Sequence, residues 1–194
     1  MKASRDGSVP NVSWLFLYWE KNMKKSSVRD LVTAALLLAV GLTLPFLTGQ
    51  IPQVGNMLLP MHIPVLLCGF ICGPWWGLAV GVVCPVLRSL ILTMPPMFPK
   101  AIGMAVELGT YGAVSGALYR ILRGKKGGIY ITLFVSMLAG RILWGAARFL
   151  MAVGTGSTFP MSAFIAGAVT EAIPGIILQI IAVPLLVMAA ERKK

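Results

Sequence analysis

"MPPMFPKAIGMAVELG", residues 94–109, holds three prolines, a lysine and a glutamate between two long apolar runs. Proline lacks a backbone N–H and suits the first turn of a helix. Pro95, Pro96 and Pro99 therefore predict that one helix ends near Met94 and the next begins near Pro99. Lys100 and Glu107 are seven residues apart, about two helical turns. Tyr111, four residues further on, extends the same face. Which solvent surrounds this stretch decides what a lysine and a glutamate are doing there.

Composition gives the solvent. The chain has 194 residues, 57% of them hydrophobic and 12% charged, with a mean hydropathy of +0.84. A soluble domain carries about 25% charged residues. Long apolar runs with so few charges describe an integral membrane protein. The net charge of +11 does not point to nucleic acid, because of where it lies. Thirteen of the 17 basic residues fall before the first apolar run, in the break at Arg120, Arg123, Lys125 and Lys126, or at the C-terminal Arg192, Lys193 and Lys194. All three places can share one side of a membrane, the side that collects Lys and Arg.

Six apolar spans are predicted, at about 29–47, 60–73, 75–94, 99–121, 128–152 and 160–190. Most approach the roughly 20 residues needed to cross the hydrocarbon; the second is short. The runs are apolar on all faces and do not alternate, so they are helices rather than barrel strands. The fold class is an all-α membrane protein with six transmembrane helices and both termini cytoplasmic. The one turn on that side without a basic residue of its own is "GPWW", 73–76. Residues 23–194 form the transmembrane domain. Residues 1–22 are an N-terminal extension, either interfacial or an over-extended start ahead of Met23.

The chain shows no nucleotide-binding P-loop, no HExxH and no GxSxG. His62 is the only histidine and has no carboxylate near it in sequence. Cys68, Cys72 and Cys84 lie inside apolar runs and read as small buried hydrophobes. Neither an enzyme nor a cofactor or metal is expected. The chemistry then rests with the ionisable groups at membrane depth, each costing on the order of 2.5–3.5 kcal/mol if isolated. Following the spans in direction, Arg88, Lys100, Glu107 and Arg148 fall in the outer half, with Arg141 and Glu171 near the middle. Pairing of Arg141 with Glu171 would hold helices together. Four cations still outnumber two carboxylates, and a surplus buried charge is costly. A bound anion would offset it, and arginine grips carboxylate or phosphate well. The expected substrate-binding set is Arg88, Lys100, Glu107, Tyr111, Arg148, Arg141 and Glu171, with Asn56 from the uncharged loop after the first span. Ala35 and Ala39 make a small-residue pair in the first span, and Gly73, Gly77 and Gly81 a second stripe, of the kind that lets membrane helices approach closely.

Six spans, a basic N-terminus, Ala35-x-x-x-Ala39, a long outer loop and a short second span resemble the substrate-binding S components of energy-coupling factor (ECF) vitamin transporters. The resemblance covers about 24–194. The segment "LPMHIPVLLCGFICGPWWGLAVGVVCPVLRSLILTMPPMFPKAIGMAVELGTYGAVSGALY", 59–119, is most similar to the pantothenate-associated group. The resemblance implies a multi-pass subunit of the bacterial cytoplasmic membrane that binds a vitamin from outside, most simply pantothenate. It also implies docking on a transmembrane coupling protein with two cytoplasmic ATPases, through Ala35 and Ala39. Another vitamin or precursor, such as a corrinoid or a queuosine precursor, is the alternative substrate. A membrane-embedded enzyme and a standalone secondary transporter are the alternatives outside the family.

Overall fold

The computed structural model describes residues 28–47, 60–125, 127–156 and 173–191. They form six α-helices and one π-helical turn: α1 Val28–Leu47, α2 His62–Cys72, α3 Pro74–Leu92, the turn Met97–Ala101, α4 Ile102–Leu122, α5 Gly128–Gly154 and α6 Ile173–Glu191. No strand occurs among the described residues. The N-terminal extension, the loop carrying Asn56 and the segment carrying Glu171 lie outside them.

Five of these helices are long and apolar enough to cross a membrane: α1, α3, the π-turn with α4, α5 and α6. Their outer faces are apolar, with Phe134, Leu138, Ile142 and Phe149 on α5 and Ile177, Ile181 and Leu185 on α6 all exposed. A helix apolar on its core side and on its outer side fits a bilayer, not water. The second predicted span is the exception. As α2 it has 11 residues, about 16 Å of rise against about 30 Å of hydrocarbon. Nine of its residues are buried, all but Ile63 and Ile71. It is therefore a short core helix, and it packs against α1, α3, α4 and α6. Such a helix can begin at membrane depth because protein, not lipid, surrounds it.

Two apolar clusters meet on α2. Leu66, Leu67 and Phe70 pack with Tyr111, Tyr119, Leu133, Met137, Val183 and Val187. Met61, Val65, Cys68 and Cys72 pack with Ala34, Val80, Cys84 and Leu108. The three cysteines are buried and free. The tightest helix contact is α3 on α4. A Cβ placed on Gly77 would run into the Gly112 carbonyl, and one on Gly81 into that of Leu108. The glycine stripe thus brings two backbones together, as small residues do in membranes. Gly73 joins α2 to α3 at φ 98°, in the left-handed region open to glycine. A Cβ there would also meet the Arg120 guanidinium. The turn that lacks its own basic residue has one folded over it from α4.

The bundle has two distinct ends. The proline end holds the α3–α4 connection and the start of α2. The basic end holds Arg120, Arg123 and Lys125, where Arg123 Nε donates to Glu191 Oε1 of α6 at 3.1 Å.

Candidate functional site

The shortness of α2 places its first residue, His62, inside the bundle, 1% exposed. There it meets α4. Glu107 and Tyr111 are one turn apart on α4 and face the same way. The Tyr111 hydroxyl donates to Glu107 Oε1 at 3.1 Å. His62 Nε2 lies 3.5 Å from the same oxygen, long for a hydrogen bond. The His62 and Tyr111 rings meet edge to face, with centroids 5.3 Å apart and planes at 63°. From α5, Arg141 Nη1 reaches Glu107 Oε1 at 3.0 Å. Three helices thus converge on one carboxylate oxygen.

The electrostatics follow from burial. The Glu107 side chain is 3% exposed and that of Arg141 14%. A carboxylate this deep persists only when paired and hydrogen-bonded. Arg141 supplies the opposite charge, and Tyr111 supplies a donor. Gly140 makes the arrangement possible, because a Cβ there would occupy the space of the Tyr111 ring. The Tyr111 ring lies in the notch that this glycine leaves on α5.

The structure distributes the predicted site residues unevenly. It brings Glu107, Tyr111 and Arg141 together. It gives Arg141 the carboxylate Glu107 as partner, where the sequence pointed to Glu171, which is outside the described residues. It turns Arg88 elsewhere. Arg88 is 7% exposed, with Nε donating to the Met94 carbonyl at 3.2 Å and Nη1 to that of Leu42 at 3.5 Å. Its guanidinium also lies 5.9 Å from the Phe46 ring centre, so it ties α1 to the proline turn. Lys100 is exposed in the π-helical turn, while Glu107 is buried; the turn breaks the regular spacing that would have put them on one face. Arg148 is half-buried near the start of α4, and a Cβ on Gly103 would sit 3.2 Å from its Cδ. Asn56 is outside the described residues. Ala35 and Ala39 are exposed on α1, while Ala34 beside them is buried.

Two residues were passed over in the sequence. His62 was set aside for want of a carboxylate, because Glu107 is 45 positions away along the chain. Gln179 was not singled out, although it is the one polar side chain between Ile173 and Ala190. It is fully buried on α6. Neither its amide oxygen nor its nitrogen has a hydrogen-bond partner among the described residues, and neither does either ring nitrogen of His62. Buried polar groups are nearly always paired, and leaving one without a partner costs about 1–3 kcal/mol.

Among the described residues no group of three His, Cys, Asp or Glu could hold a metal. A cavity of about 40 Å³ lies at the basic end, between Phe70, Tyr119, Arg123 and Glu191. It is too small for a ligand, which needs about 300 Å³ or more. The polar convergence is instead at Glu107, where side chains of α2, α4 and α5 face inward. The arrangement can neutralise and orient a small polar molecule, and it presents no activated nucleophile.

Comparison with curated proteins and with solved structures gives no match. A family model described as "ECF transporter, substrate-specific component" matches residues 29–187. That range runs from the start of α1 nearly to the end of α6 and includes every residue of the Glu107 cluster. The chain belongs to the family of substrate-specific components of ECF transporters, membrane subunits that bind a small-molecule substrate for transport.

Proposed function

We propose that this subunit binds pantothenate, or a vitamin-type molecule with the same carboxylate, at the proline end of the bundle. The observation that carries this is charge. Arg88, Lys100 and Arg148 belong to the proline-side half and Arg141 to the middle of α5, and Glu107 is the only carboxylate near them among the described residues. Arg141 pairs with Glu107, and over the whole sequence two carboxylates, Glu107 and Glu171, are set against these four cations. Bringing an anion to them relieves a surplus that membrane burial makes costly. A cationic vitamin would add to it.

The proline end faces outward on this reading, and the basic end faces the cytoplasm, in keeping with the charge bias of membrane loops. Both termini are then cytoplasmic, in the cytoplasmic membrane of a bacterium. The ligand enters beside α4 and α5, with Lys100 and Arg148 nearest the mouth and the Glu107 cluster beneath. Asn56 and Glu171, outside the described residues, belong to the proposed set as well. The loaded subunit docks on the transmembrane coupling protein through the exposed pair Ala35 and Ala39. Two separate ATPases supply the energy, since this chain has no nucleotide-binding motif.

Purified Arg148→Ala and Arg88→Ala proteins test the anion site by equilibrium binding of pantothenate. Arg148→Ala should lose tenfold or more in affinity, since charge-assisted bonds to a carboxylate are worth about 1.5–3 kcal/mol. Arg88→Ala should lose less, because its guanidinium already serves two backbone carbonyls. Unchanged affinity in both would refute the anion site.

A further inference from the structure

We infer that Gln179, together with His62 at the same level, reads an uncharged hydrogen-bonding group of the substrate, an amide or its close equivalent, deeper in the bundle than the carboxylate. This rests on the substrate site proposed above and specifies the other end of the ligand.

The position of Gln179 follows from its helix. Val183 and Val187 of α6 pack in the core with Leu66, Leu67, Phe70, Tyr111 and Met137, and Ile176 packs against the same cluster. Gln179 falls between Ile176 and Val183 at helical spacing and so shares that face. Its depth follows from the link at the basic end. Glu191 bonds Arg123 there, and Gln179 and Tyr111 each lie twelve residues before these partners. Twelve residues rise about 18 Å along a helix. Gln179 is therefore roughly level with Tyr111, one turn inward of Glu107. His62, on the neighbouring α2, touches Tyr111 at the same level.

The chemistry of these groups selects the ligand. A glutamine amide offers two donors and an acceptor without charge, and an imidazole nitrogen offers one or the other. His62 Nε2 only approaches Glu107, at 3.5 Å, and neither ring nitrogen has a hydrogen-bond partner among the described residues. An amide N–H and C=O, or a hydroxyl, matches the Gln179 amide and Nδ1 together. A second ionised group would not, because among the described residues the charges nearest it, Arg141 and Glu107, are paired with each other. The site therefore discriminates between the two ends of its ligand: anionic toward the mouth, uncharged and hydrogen-bonding within. A site built to bond a polar group strongly rejects analogues that lack it.

The test uses the full chain in detergent with Gln179→Met, an unbranched side chain of similar reach. The probes are pantothenate and its ester analogue, in which oxygen replaces the amide N–H. Wild type should bind pantothenate about tenfold more tightly than the ester, and Q179M should bind the two within twofold. Without ligand, the Tm of Q179M should be equal to that of wild type or a few degrees higher, since an idle buried amide has been removed. A lower Tm without ligand means the amide is already satisfied within the protein and overturns the inference, whatever the ligand is. A tenfold preference retained in Q179M overturns it as well. Gln179→Glu, which keeps the shape, should lose pantothenate affinity even if Q179M does not fold; retained affinity there counts against it. No binding of pantothenate by wild type would instead refute the substrate reading, and the ligand-free Tm comparison would still decide the role of Gln179.

Discussion

Two arginine–glutamate pairs bridge helices among the described residues, and they differ in little except depth. Arg123 and Glu191 join α4 to α6 at 3.1 Å, with side chains 57% and 36% exposed. Arg141 and Glu107 join α5 to α4 at 3.0 Å, with side chains 14% and 3% exposed. The distances are nearly the same, yet the surroundings are not. The exposed pair has solvent or headgroups to replace a lost partner. The buried pair has Tyr111 and His62 beside its carboxylate and no ready access to solvent. Ion-pair geometry alone therefore says little about importance here. What decides is whether a partner's removal strands a charge.

The largest expected effect comes from stranding one. Glu107→Leu leaves Arg141 buried without its carboxylate and should destabilise the protein by about 3–5 kcal/mol. Unfolding of the purified protein in mixed micelles would measure it. The double variant Glu107→Leu/Arg141→Met should recover most of that loss, since an apolar pair of similar volume tolerates the site. If the double variant is no better than the single, the two residues are not a pair in the sense argued here. Gly140→Ala comes next. Its methyl group would displace the Tyr111 ring from Glu107 and should cost about 1–3 kcal/mol by overpacking. Arg123→Met at the basic end should cost less than about 1 kcal/mol; a loss as large as that from Glu107→Leu would erase the contrast. The smallest stability effect is expected on α1. Ala35→Trp and Ala39→Trp point outward and should change stability by less than about 0.5 kcal/mol. They should nevertheless abolish vitamin uptake in cells carrying the coupling module, if α1 docks as proposed.

The buried half of this contrast was only partly legible in the sequence. The helices were, because apolar runs of membrane length have few other readings, and the proline cluster at 95–99 marks where α3 ends. The brevity of α2 was also visible, though not its enclosure by four neighbours. Glu107 and Tyr111 follow from their spacing on one helix. The partner of Arg141 did not, because depth can be counted along each helix but rotation about its axis cannot. Two carboxylates lay at suitable depths; packing brings Glu107 to Arg141, and Glu171 lies outside the described residues. His62 needed the same packing, as its carboxylate comes from another helix. Gln179 is different. Its signal, one amide in the run "IPGIILQIIAVPLLVMAA", was present but uncharged, and attention to ionisable groups passed it by.

The most direct measurement of the central claim is the thermal stability of the detergent-purified chain against a panel of vitamins. A ligand that binds only the folded state raises stability by RT ln(1 + [L]/Kd), about 2.7 kcal/mol at a hundredfold excess over Kd. A carboxylate site at the proline end should give a Tm that climbs with pantothenate concentration and does not move with cationic thiamine. A shift with thiamine alone, or with no carboxylate vitamin in the panel, would contradict it.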